Sequence, residues 1–372
     1  MGCLSLDRLI AEKKVEVREP PIRSSSLDVL ASCPRKFMWS SRLGLKRRGQ
    51  YVPSLEVGTM VHAIIAGVLK GGDLEKVVAD LKEKEHAALR EHAAKGGLPT
   101  QLAVEVTARQ QVDDRAKATM IASIFLTQYS CSILAPFDPI SGLSEVPLEA
   151  ETRYGLLRGR LDLVLQSKDQ GEYWVTDFKT LDASRSTLDR AAQVRFEPQP
   201  WIYRHLLQAY LGPTARVAGC VHIIIQKPNL KFCRTDTAAG RAQNRDPFQS
   251  YLDRCRVNFY AKRFAAFAAG EKGACPPILV RTQSMAGQPD PEWLSARLEA
   301  YEMWSTVDVD SALFYPVHSS CFHFNRRCQF FDLCMSDPGA WGSEIAQKYV
   351  TSFREDEEDA ELEPSLENSN DE

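Results

Sequence analysis

GRLDLVLQSKDQGEYWVTDFKT, residues 159–180, alternates apolar and polar side chains on either side of a short polar run. Leu161, Leu163 and Leu165 set the period in the first half, and Tyr173 and Val175 set it in the second, so the stretch predicts two strands joined by a turn. Successive strand side chains point to opposite faces. Asp177 and Lys179 therefore share one face, and Trp174, Thr176 and Phe178 share the other. A turn centred on Lys168 and Asp169 places Asp162 across from Val175, as a diagonal neighbour of Asp177 roughly 7–8 Å away. Two carboxylates and an ammonium then occupy one patch of sheet, an arrangement that a one-residue slip would scatter. An ion pair at a solvated sheet edge gives the same D-x-K string. Carboxylates inside a core, in contrast, persist when they are paired or bind metal.

The chain has 372 residues, 44% of them hydrophobic and 26% charged, the balance of a soluble globular protein. No apolar run approaches the roughly 20 residues of a membrane span, and the start MGCLSLDRLIAEKK lacks the apolar region of a signal peptide. A cytoplasmic protein without a membrane partner is expected. The formal net charge of −3 is unevenly spread: from Arg354 onward the tail has ten acidic residues and one basic, leaving residues 1–353 at +6. A mildly cationic body with an acidic tail suits a nucleic-acid binder whose tail competes for the groove or recruits a partner, and it equally suits an ordinary domain with a solubilising tail. Ten cysteines is a high count where disulfides are rare, so a cluster of them points to metal.

Along the chain, Ser24–Ser26 open a helix that Cys33-Pro34 interrupts. Arg35, Lys36, Phe37, Trp39, Arg42, Lys46, Arg47 and Arg48 follow, a string that suits either nucleic-acid contact or a surface helix with two core aromatics. Residues 55–70 have helical apolar spacing, and His62 lies on the flank with Gly58 and Ala66 one turn away on either side, leaving room for another element. Helices broken near Gly96-Gly97 and Pro99 fill residues 73–130, and a short strand is expected over 143–150. Gln199-Pro200 opens a helix that Gly212 stops, with Gln199 and Tyr203 four apart on one face. Residues 217–226 form the clearest strand, apolar enough to be covered on both faces. Helices are predicted over 248–270 and 291–306. The last motif is Cys321, Cys328 and Cys334 among aromatics. These need a fourth ligand, for which Cys33, His318 and His323 are candidates.

Taken together, SSSLDVLASCPRKFMW, GTMVHAIIAGVL, GRLDLVL, VTDFKT, QPWIY and the terminal cysteine triplet resemble the RecB-like branch of the PD-(D/E)XK nuclease superfamily. The likeness is closest to its iron-sulfur members, the AddB-type recombination nucleases, the CRISPR spacer-acquisition nucleases and related phage exonucleases. It runs in the family's order from residue 24 to 334. The resemblance implies an α/β, restriction-endonuclease-like fold: a mixed central sheet flanked by helices, with helical insertions and an iron-sulfur cluster linking the N- and C-terminal parts. It implies a nuclease domain over 21–350, after an N-terminal segment of residues 1–20 and before an acidic, disordered tail of 351–372.

For the site, the resemblance implies that His62, Asp162, Asp177 and the backbone carbonyl of Phe178 hold Mg2+ or Mn2+. Lys179 would position or activate the attacking water, and Gln199 and Tyr203 would orient the lysine and the nucleic-acid backbone. Cys33, Cys321, Cys328 and Cys334 would hold a 4Fe-4S cluster. The first cysteine gap, six residues, is longer than in the spacer-acquisition and AddB-type proteins, and zinc bound by the triplet with His318 or His323 is the other occupant. The expected activity is that of a DNA nuclease, an exonuclease on single-stranded ends in recombination, repair or replication, whose tail engages a partner protein. The alternative is a non-catalytic DNA-binding or scaffold protein that retains the fold.

Overall fold

Residues 159–180 form the hairpin that their alternation predicts, but two residues out of the expected register. In the computed structural model, which describes residues 6–47, 53–94, 101–130, 134–230, 247–309, 311–323 and 326–351 with isolated positions between 233 and 242, the main sheet has five strands. They are β1 (Phe137–Thr152), β2 (Gly155–Ser167), β3 (Tyr173–Asp182), β4 (Val217–Lys227) and β5 (Ile278–Ser284), in the order β1-β2-β3-β4-β5. Val164, not Asp162, lies across from Val175. The turn is centred later because Ser167 organises it: its hydroxyl accepts from the Gln170 N–H, its own N–H donates to Glu172 O, and Gly171 takes a φ of +65°. An error of two residues preserves every face. The ladder ends at Leu163↔Thr176, and just beyond it Asp162 and Asp177 fall on one face of the sheet.

β2 and β3 are antiparallel, β3 and β4 parallel, and β4 and β5 antiparallel. The parallel step requires a crossover, which α4 (Thr187–Gln193) and α5 (Gln199–Leu211) supply; preceding them in the chain are α1 (Pro53–Leu69), α2 (Leu74–Ala94) and α3 (Gln101–Ile124). Pro200 starts α5 and Gly212, at φ +86°, stops it. On one face of the sheet Leu163, Leu165, Phe178, Val221, Ile223 and Ile225 pack with α1 and α3. On the other, Leu181 and Ile224 pack with Ala191 and Val194. β4 is buried along all but its last residue, as its apolar run demands. β5 has no counterpart in the sequence reading: only Ile278, Leu279 and Val280 are apolar, and the outer half of this edge strand is largely exposed.

Two compact units share the chain. One comprises residues 51–148 and 160–288, the other residues 1–50, 149–159 and 289–372. In the second unit, Leu45–Arg47 pairs antiparallel with Tyr349–Thr351. Phe37 and Trp39 are wholly buried, Phe37 edge-on to Tyr301 and Trp39 edge-on to Trp341, while Arg42 donates to Val307 O. The basic and aromatic string of residues 35–48 is thus the core-facing alternative, with no stacking face left on either ring; Arg48 lies outside the described residues. Of the tail expected over 351–372, Thr351 ends a short strand and the remainder lies outside the described residues. No described helix is long and apolar enough to cross a membrane.

Gly58 is where α1 meets the sheet. A Cβ there would stand 2.8 Å from Thr180 Oγ1, so the glycine lets the helix close on β3. Gly58→Ala should be destabilising or neutral, since overpacking costs about 1–3 kcal/mol against a helix-propensity gain of about 1 kcal/mol. In a Thr180→Ala background the same substitution should stabilise, and urea unfolding of the four proteins measures the coupling.

Candidate active site

Asp162, on β2, is buried and gathers groups from three other elements. His62, one helical turn beyond Gly58, brings Nδ1 to 3.5 Å from Asp162 Oδ2. The Phe178 N–H donates to the same oxygen at 2.9 Å. Ser144 Oγ donates to Asp162 O at 3.2 Å, tying β1 to β2. Glu145, next along β1, completes the group: ligand atoms of His62, Glu145 and Asp162 all lie within 4.8 Å of one another. Glu145 has a φ of +53°, a left-handed conformation that costs a non-glycine residue about 1–3 kcal/mol and concentrates at functional sites.

Electrostatics mark this group as short of positive charge. Burial, and next the charge of Asp162, push the Glu145 carboxyl up to about 7. Burial opposes a charged His62, but Asp162 outweighs it and holds the imidazole above its ordinary value. Glu145 and His62, whose protonated forms are favoured here, join Asp162 in a donor set from which a hard cation would displace protons. Octahedral Mg2+ keeps ligands at about 2.0–2.1 Å, so opposite donors stand about 4 Å apart. The three donors are gathered on that length scale, within 4.8 Å of one another.

Asp177 sits beside this group in a buried polar chain. Its Oδ1 lies 2.8 Å from Lys179 Nζ, and its Oδ2 lies 3.2 Å from His222 Nδ1. Lys179 donates onward to Gln199 Oε1 at 2.5 Å, and Gln199 Nε2 donates to Tyr203 Oη at 2.7 Å. On the far side, His222 Nε2 is 3.2 Å from Gln283 Oε1. Asp177 is fully buried, and burial alone would raise its pKa. Lys179, with His222 behind it, reverses this and holds the carboxyl below the usual range. Lys179 in turn stays above its ordinary value because Asp177 outweighs its desolvation, and burial raises the Tyr203 phenol well above its own. Asp177 Oδ1, paired with Lys179 at 2.8 Å, keeps further lone pairs available.

The structure therefore brings together His62 and Asp162, and separately links Asp177, Lys179, Gln199 and Tyr203 in one chain. Asp177 is not one of the three donors that converge within 4.8 Å. Glu145 and His222 carried no role in the sequence reading. His222 was detectable in principle: a histidine inside an otherwise continuous apolar strand must find a partner, and the parallel register sets it beside Asp177. Glu145 is one acid among several in a polar segment, and only the fold singles it out.

The four cysteines lie in the other unit. Cys33 Sγ accepts from the N–H groups of Lys36 at 3.4 Å and Val317 at 3.5 Å, and Cys321 Sγ donates to Val317 O at 3.7 Å. Phe322–His323 pairs with Arg326–Arg327, and the Cys328 N–H donates to Cys321 O at 2.8 Å. The long six-residue gap is thus looped out as a hairpin that returns Cys328 to Cys321. A single helical turn, Phe331–Met335, then carries Cys334. Burial first, with Cys328 and Cys33 among the nearby thiols, pushes Cys334 up to about 11. The side chains of His318 and His323 lie outside the described residues.

Residues 24–334 match the family model described as PD-(D/E)XK nuclease superfamily. Curated proteins gave no match.

The elevated Glu145 carboxyl has a signed consequence. Its folded pKa of about 7 exceeds the ordinary 4.5, so the folded state favours the protonated form, and that contribution fades as pH rises through the interval between the two values. Metal-free protein should lose stability from about pH 4.5 to pH 7 by this term, and Glu145→Gln should remove that part of the slope. Denaturation midpoints across the interval, in the presence of a chelator, report it.

Proposed function

The chain belongs to the PD-(D/E)XK nuclease superfamily, and from that premise we propose a divalent-metal-dependent deoxyribonuclease of the RecB-like branch, an exonuclease on single-stranded DNA ends. The observation that carries the metal-dependent reading is the convergence of half-buried His62 and Glu145 with buried Asp162, beside the Asp177–Lys179 pair. Those three residues, with Asp177 and the Phe178 carbonyl, would hold Mg2+ or Mn2+. When bound, the ion neutralises the phosphodiester and lowers the pKa of a water that can attack it. Lys179 retains its proton, so it serves as a fixed positive charge for the pentavalent phosphorus species rather than as a base. Gln199 holds the ammonium against Asp177, and Tyr203 holds Gln199. The single-strand and exonuclease preferences come from the likeness to the AddB-type, spacer-acquisition and phage enzymes. A recombination or replication protein is the partner proposed for the acidic tail.

We also propose that Cys33, Cys321, Cys328 and Cys334 ligate a 4Fe-4S cluster that staples the two ends of their unit. The hairpin over residues 322–327 supports this, because it offsets the long first gap. The cluster is proposed ahead of zinc on the likeness to the iron-sulfur members of the branch.

Lys179→Ala and Asp162→Asn should each lower cleavage of end-labelled DNA by at least about 100-fold while DNA binding by anisotropy survives. Cutting of linear but not circular substrate would support the exonuclease mode. Cys328→Ser should yield protein lacking iron and labile sulfide, with a lower melting temperature. Wild-type protein that purifies colourless with zinc would contradict the cluster.

A further inference from the structure

Resting on the metal-nuclease reading, we propose that His222 is a positioning residue for Asp177, with Gln283 as its anchor. The imidazole is wholly buried in β4, directly across the parallel ladder from Asp177. A carboxylate only accepts, so His222 Nδ1–H is the donor over the 3.2 Å to Asp177 Oδ2. Gln283 Oε1, an acceptor reaching from β5, lies 3.2 Å from Nε2 and pairs with that nitrogen when the ring carries both protons. Cys220 Sγ lies 3.9 Å from Nδ1, and burial holds its thiol well above the ordinary value, so it brings no competing charge; Arg281 is the register partner of His222 on β5.

The consequence for Asp177 is geometric. With Oδ2 held from behind by His222, the carboxylate cannot rotate about its terminal torsion, and Oδ1 stays directed toward Lys179. That oxygen, 2.8 Å from the Lys179 ammonium, has lone pairs beyond that contact with which to serve an ion. Outer partners of this kind orient ligating groups, and their loss typically costs about 10- to 100-fold in metal affinity or activity. Lys179 alone would not suffice: its ammonium is a point charge on a flexible stem, and it is shared with Gln199.

Two substitutions separate positioning from simple packing. His222→Asn retains an N–H near the place of Nδ1 and loses the reach to Gln283; His222→Gln extends past that place and retains the Gln283 side. Manganese affinity measured by electron paramagnetic resonance without DNA, alongside kcat and KM, should weaken about 10- to 100-fold for His222→Gln, with kcat falling and KM for DNA unchanged. His222→Asn should recover most of both. Gln283→Met, on the more accessible strand, should give a smaller loss in the same direction and guards against a misfolded His222 variant. Equal manganese affinity in the Asn and Gln variants, both being folded by circular dichroism, would overturn the assignment while wild-type binding and cleavage left the nuclease reading intact. Wild-type protein that neither binds manganese nor cuts would overturn both.

Discussion

Two buried carboxylates and a half-buried third on one sheet, with too little positive charge among them, are the constraint around which the larger unit is organised. Ionised acids in a low-dielectric setting repel one another and forfeit hydration, so they must be paired, protonated or bound to a cation. The first two remedies are visible in different parts. Asp177 is paired with Lys179 and His222, Glu145 retains its proton to about pH 7, and Asp162 accepts from the Phe178 N–H with His62 at its side.

The fold delivers these groups by separate physical means. The alternation of β2 and β3 places Asp162 and Asp177 together; the parallel crossover brings His222 alongside. α5, opened by a proline and closed by a glycine, aims Gln199 and Tyr203 at the lysine. α1 reaches the acids only because Gly58 has no side chain to keep it from Thr180. Phe178, between two catalytic candidates in sequence, points into the opposite face and packs against Phe125 and His62. It anchors the strand, so the positions of Asp177 and Lys179 are set by the core beneath them.

The local part of this design was legible in the chain and the non-local part was not. Period two fixed the faces of Asp162, Asp177 and Lys179 even with the register misjudged, because the error was even. Helical spacing found the Gln199–Tyr203 pair, and small neighbours marked the side of α1 bearing His62. Glu145 and Gln283 carry no such periodic mark: they matter only through strands that neighbour β2 and β4 in space, and β5 is too short and too exposed to announce itself. Phe37 and Trp39 show the converse, since basic and aromatic residues in series describe a core-facing helix as well as a stacking surface. The six-residue cysteine gap, anomalous as a spacing, becomes ordinary once a hairpin closes it.

The central claim is that the acids and His62 form a site for a divalent ion that displaces the protons of Glu145 and His62. Calorimetric titration of manganese into metal-free wild-type protein near pH 7, in two buffers of different ionisation enthalpy, tests it most directly. The account predicts saturable binding with net proton release, abolished by Asp162→Asn. Absence of binding, or binding that releases no protons and survives the loss of Asp162, would contradict it.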